Sequence, residues 1–179
     1  MKEKKSSILS FLLTMVPIIL VAVWLFVALP DGDLWWFLPI FDEQAAEIHL
    51  YRDGQEIVLR PGDAGYDEIN DAINSSLKGV KAKLSLGISV ESQQDFYNKY
   101  AAVEVFYQDP VIIHSHHSFR KCDKLLFPLS GRHYDPPMVF GGTQRLETYR
   151  AGALVLKNRD SLEEAFKVAW ETHQIQATR

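Results

Sequence analysis

Glu47-Ile-His-Leu-Tyr-Arg-Asp-Gly-Gln-Glu-Ile-Val-Leu-Arg60 is two short strands closed by a two-residue turn. Apolar and polar side chains alternate on either side of Asp53-Gly54. That dipeptide tolerates the left-handed backbone of a tight hairpin turn better than most, so the chain is expected to fold back on itself there. Pro61-Gly62-Asp63 ends the second strand.

Reading onward from the hairpin, Tyr66, Ile69, Ile73 and Leu77 recur at three- and four-residue spacing, which predicts a helix over 66–78 that Gly79 stops. Val80 to Ile88 then alternates strictly. Val80, Ala82, Leu84, Leu86 and Ile88 share one face and Lys81, Lys83, Ser85 and Gly87 the other, the signature of an antiparallel strand wet on one side. A short helix is expected over 89–100 and a strand over 101–107, broken by Asp109-Pro110. Further strands are expected over 111–116 and 125–129, with an apolar stretch at 138–140 that Gly141-Gly142 turns. A long strand is expected over 146–156. Ser161-Leu-Glu-Glu164 has the form of a capping box, so a last helix begins there. It carries Leu162, Phe166, Ala169, Trp170 and His173 on one face, and the polar tail from Gln174 frays. Runs of strands with few helices predict an α+β domain, with two or three helices packed on one face of a mostly antiparallel sheet.

Reading back toward the N-terminus, residues 44–179 make one domain of roughly the commonest size. Residues 30–43 read as a juxtamembrane connector stiffened by Pro30 and Pro39. Between Ile8 and Leu29 only Ser10 and Thr14 are polar. At the helical rise this run spans about 33 Å, enough to cross a hydrocarbon core of about 30 Å. It exceeds the apolar core of a signal peptide, and Phe26 stands where a cleavage site wants a small residue, so an uncleaved transmembrane helix is expected. Lys2, Lys4 and Lys5 lie in the basic tail 1–7, and Asp31, Asp33, Asp42 and Glu43 follow the span. The positive-inside rule therefore puts the N-terminus in the cytoplasm and the domain outside the cell membrane. Trp35 and Trp36 fall where an interfacial aromatic belt would lie.

The net charge is −4. Without the basic tail and the span the rest stands at about −6, and its Lys and Arg are scattered, which argues against a nucleic-acid partner. The single cysteine, Cys122, excludes an internal disulfide.

His114, His116 and His117, with Cys122 and His133 downstream, form the group that most invites a chemical reading. On a strand His114 and His116 would share a face, and with the Cys122 thiolate they would suit Zn²⁺ or Cu²⁺. Ser130, His133 and Asp135 are the residue types of a hydrolytic triad, but crowded into one loop and without a nucleophile elbow. Gly141-Gly142-Thr143 lacks the following helix and lysine of a phosphate loop. Asp63, Asp67, Glu68 and Asp71 suit a helix start, not a calcium loop. Asn74-Ser75-Ser76 fits a glycosylation acceptor. Without a convergent catalytic set, the expected function is a membrane-anchored binding or interaction module, with the bilayer and a protein or other envelope component as partners. The alternatives are a metal-binding envelope protein using His114, His116 and Cys122, or an envelope enzyme whose site assembles only in space.

Overall fold

The computed structural model describes residues 8–115, 117, 119, 121–145 and 149–177. The chain divides into two compact units, 1–36 and 37–179. The first contains helix α1, Ile8–Asp31. Its Ser10–Leu29 stretch is apolar, long enough to cross a membrane, and almost wholly exposed. After the helix the Trp35 amide donates to the Asp33 carboxylate at 2.9 Å, and the Trp24 indole donates to the Leu34 carbonyl at 3.2 Å.

The second unit is α+β. Its strands are β1 (Glu47–Arg52), β2 (Gln55–Leu59), β3 (Val80–Leu84), β4 (Ala102–Val111), β5 (Cys122–Pro128), β6 (Met138–Gly142) and β7 (Gly152–Leu156). They form one antiparallel sheet in the order β2-β1-β4-β5-β6-β7-β3. The helices are α2 (Tyr66–Leu77), α3 (Val90–Asn98) and α4 (Asp160–Ala177). The β1–β2 hairpin closes through Asp53 and Gly54, both at positive φ (52° and 76°), as a tight turn matching the strand twist requires.

The sheet buries both faces, because alternate residues on each strand point to opposite sides. On the first face Ile48, Leu50, Val103, Val105, Leu125, Phe127, Val139, Leu154 and Leu156 pack against Ile69, Ile73 and Leu77 of α2 and Leu162, Phe166 and Trp170 of α4. On the second, Tyr51, Ala102, Leu126, Phe140 and Ala153 pack with Phe96 of α3 and with Tyr149. Helices thus cover both faces rather than the one expected. The reason is Phe96, which inserts wholly buried into an apolar patch that alternation alone leaves on the sheet's outer side.

Five elements depart from the sequence expectation. β4 runs through Asp109-Pro110 to Val111 instead of breaking. β1 pairs with β4 only as far as Phe106, and the β4–β5 register slips between Phe106 and Val111, so Pro110 interrupts no regular ladder. No strand covers 112–115 as a result. β6 includes Gly141 and Gly142, where a turn was expected. The Phe119 ring lies 2.6 Å from where a Cβ on Gly141 would stand, so close packing, not a turn, calls for glycine there. β3 stops at Leu84, and β7 starts at Gly152, whose φ is 109°. α4 begins one residue before Ser161 and is capped by the Asn158 side chain, which accepts the Asp160 amide at 2.5 Å. It extends to Ala177, into the tail from Gln174 that was expected to fray.

Candidate functional site

The second face of the sheet holds a carboxylate that its surroundings have been built to accept. Glu104 is the third residue of β4, with apolar Val103 and Val105 turned to the opposite core, and is only 3 % exposed. A carboxylate so buried is costly unless its oxygens are satisfied. Three tyrosines do this. Tyr51 of β1 donates to Oε2 at 3.1 Å, Tyr97 of α3 donates to Oε1 at 3.0 Å, and Tyr149 also donates to Oε1. Burial first, and the Glu104 charge second, push all three hydroxyls above the ordinary tyrosine value of 10.0, so each stays a donor at neutral pH.

The surrounding groups come from β1, α3, β5 and the segment before β7, which carries Tyr149. Tyr51 reaches across from β1, whose His49 pairs with Glu104 in the register. Tyr97 stands on α3, which starts where Ser89 accepts the Ser92 amide at 3.2 Å. Gln93, one turn earlier, donates to the Tyr97 hydroxyl at 2.8 Å. Lys124 of β5 sits diagonally from Glu104, and its ammonium lies 4.5 Å from the centre of the Tyr149 ring.

The polar network continues outward along the hairpin. His49 Nδ1 lies 2.8 Å from Glu56, its Nε2 lies 3.3 Å from Glu47, and the Tyr51 oxygen lies 3.3 Å from Nδ1. Arg60 closes the series by donating twice to Glu47, at 2.9 Å each. The Arg60 hydrogen bonds, then that of His49, hold the Glu47 carboxyl below its ordinary value.

Above Glu104 opens a cavity of about 430 Å³, walled by Val90, Gln93, Gln94 and Tyr97 of α3 and floored by Glu104, Phe106 and Lys124. Its chemistry is fixed donors and acceptors beside aromatic surface. The carboxylate accepts three hydrogen bonds and the tyrosines are held from several directions, which is the rigidity a recognition site needs. The sequence pattern placed Tyr51 and Glu104 on strands but gave no sign that this face of the sheet is covered. The available signal was Glu104 itself, a lone acid inside Ala101-Ala-Val-Glu-Val-Phe-Tyr107.

The residues singled out from sequence lie elsewhere. His114 is half-buried beyond the end of β4, and His116 is outside the described residues. Cys122 is wholly buried in the first-face core, and burial pushes its thiol up to about 12. Among the described residues no group of three or more His, Cys, Asp or Glu is placed to share a metal ion. His117 instead lies with Nε2 3.1 Å from the Lys81 carbonyl. Ser130 accepts the Ala101 amide at 2.7 Å, while the His133 ring packs edge-on to Phe140, and no hydrogen bond among the described residues joins Ser130, His133 and Asp135. The glycosylation pattern fails sterically, because Asn74 is buried and its amide donates to the Glu43 carbonyl at 3.1 Å. Trp170 is core, and His173 at the rim lies 3.0 Å from the Ala64 carbonyl. Trp35 is 57 % exposed.

No family model matches this chain, and no curated protein matches it. Among solved structures it is similar to the crystal structure of YycH from Bacillus subtilis, with a TM-score of 0.47 and 12% sequence identity. The likeness covers 68% of this chain and 36% of that one, so the chain matches little more than a third of that protein's length.

Proposed function

We propose that the chain is a single-pass, membrane-anchored binding protein. In this reading α1 spans the bilayer, residues 1–7 are cytoplasmic, and the 37–179 unit is an extracytoplasmic module whose Glu104 cavity receives a protein or other envelope partner. One observation carries the reading: Ser10–Leu29 is helical, apolar and almost wholly exposed. Each large apolar side chain left in water costs on the order of 2 kcal/mol, so such a surface requires a lipid or protein cover. The basic residues before the span and the acidic ones after it support the orientation. The acidic balance of the module speaks against nucleic acid.

The binding role rests on the Glu104 cavity. Rigid donors, an amide wall and aromatic surface favour recognition, and the carboxylate's filled hydrogen bonds leave it ill placed to abstract a proton. The test is site-specific photo-crosslinking from full-length chain in native membranes. The crosslinker is placed at Gln94 on the cavity wall and, as control, at Val168, exposed on α4.

A further inference from the structure

The walls of the Glu104 cavity restrict the chemistry of its occupant, an inference that rests on the reading of that cavity as a recognition site. Most of its hydrogen-bond donors are turned inward. The Tyr51, Tyr97 and Tyr149 hydroxyls all donate to Glu104. Because the Tyr97 proton goes to a carboxylate, its oxygen accepts from Gln93, and this fixes how the Gln93 amide lies. Its Nε2 stands 2.8 Å from the Tyr97 oxygen, and its Oε1 is turned away. Gln144 is fixed by the same logic. Its Nε2 donates to the Tyr107 and Asp123 carbonyls, at 2.7 Å and 3.4 Å, and a carbonyl only accepts. Both glutamines line the cavity, and neither Oε1 has a partner among the described residues.

Charge and surface narrow the choice further. Among the described residues the charged groups of the lining are one acid and one base, Glu104 and Lys124, both almost wholly buried. A ligand of either sign would therefore meet a like charge at the floor, which favours a neutral one. Aromatic surface lies beside the amide oxygens. The Tyr51 and Tyr97 rings pack with centroids 4.6 Å apart, and the His49 ring braces Phe106 at 4.8 Å. Val90, exposed at the start of α3, adds an apolar lip. The occupant must be neutral, bring donors to two fixed oxygens, and lay an apolar face on the rings. A peptide backbone suits this poorly, because each N–H comes with a carbonyl that would be desolvated among acceptors. A hydroxyl suits it well, since it rotates to aim its one proton.

We propose that the cavity seats a pyranose ring of a neutral glycan, its hydroxyls donating to Gln93 Oε1 and Gln144 Oε1 and its C–H face lying on the Phe106 and Tyr97 rings. The volume of about 430 Å³ falls in the range of pockets that enclose small organic ligands.

The test applies purified full-length chain, in micelles of a detergent without a sugar headgroup, to immobilised neutral oligosaccharides of glucose, galactose, mannose and N-acetylglucosamine. Each stands beside its permethylated counterpart, which keeps the ring and loses the hydroxyl protons. Retention on a free glycan is expected to be at least about tenfold stronger than on its permethylated form, since a site that accepts a ligand hydroxyl rejects the analogue lacking it. Gln93→Met and Gln144→Met keep chain length and remove the amide oxygens, and each is expected to weaken retention several-fold. Gln93→Met leaves the Tyr97–Glu104 hydrogen bond in place, so its melting temperature, measured alongside, should stay close to that of the parent. No retention on any free glycan, equal retention of permethylated chains, or unchanged retention in both variants would each overturn the assignment. If it falls while photo-adducts still form at Gln94 and not at Val168, the cavity binds an occupant of another class. If those adducts are missing too, its binding role falls as well.

Discussion

Replacing Glu104 by alanine removes the acceptor that the Tyr51, Tyr97 and Tyr149 hydroxyls share and leaves them buried around a void. Unsatisfied buried donors cost about 1–3 kcal/mol each when nothing relaxes, but the three act as one network and their losses do not add. We expect Glu104→Ala to destabilise the module by about 2–4 kcal/mol in urea unfolding. A loss below about 0.5 kcal/mol would mean the cluster is solvated. The cluster also sets an alkaline limit. Tyr51, Tyr97, Tyr107 and Tyr149 all have folded-state values raised above 10.0. Above pH 10 the unfolded chain therefore gives up protons that the folded chain keeps. Stability from these groups is complete below that pH and falls as pH rises past it. The buried Cys122 thiol, raised from 9.0 to about 12, starts the decline near pH 9. Melting temperature should hold from pH 8 to about 9 and then drop toward pH 11; a flat profile would contradict the burial of these groups. None of this pairing was legible in the sequence, because Tyr149 lies 45 residues from Glu104 and strand periodicity does not say which distant aromatics meet it.

Elements were easier to read than their ends. The hairpin, α2 and the core face of α4 follow from local rules: a two-residue turn at positive φ, and apolar residues at helical spacing. The departures share a cause, which is tertiary packing acting on punctuating residues. Pro110 reads as a strand breaker, yet it stands where the ladder has already lost its register. Gly141 reads as a turn and is glycine because Phe119 leaves no room for a Cβ. Gly131 combines both demands: its φ is 72°, and a Cβ there would stand 2.4 Å from the Tyr100 ring. Gly131→Ala is therefore expected to cost about 2–3 kcal/mol, from a left-handed backbone and a ring that must move. Because Gly131 adjoins Ser130, whose hydroxyl accepts the Ala101 amide just before β4, the variant should also speed hydrogen exchange at Ala101. Unchanged stability and exchange would show that the loop yields freely.

At the scale of the whole molecule, charge and hydropathy marked out the apolar helix and the α+β unit that follows, since both depend on composition over long windows. The allocation of helices to both faces was not legible. α3 carries few apolar residues, and two aromatics commit it to the second face: Phe96, buried in one cluster with Leu126 and Phe140, and Tyr97, packed against that cluster and bonded to Glu104. That placement gives the Glu104 cavity its wall, so the candidate site arises from topology and no contiguous motif records it. The reading of the chain as an anchored binding protein joins these two scales. Its most direct test is the photo-crosslinking of full-length chain carrying the reactive side chain at Gln94, read in washed membranes. We predict an adduct of defined mass from Gln94 and none from Val168, with the chain retained in the membrane fraction after alkaline washing. Release of the chain into the aqueous fraction, or the same adducts from both positions, would contradict the account.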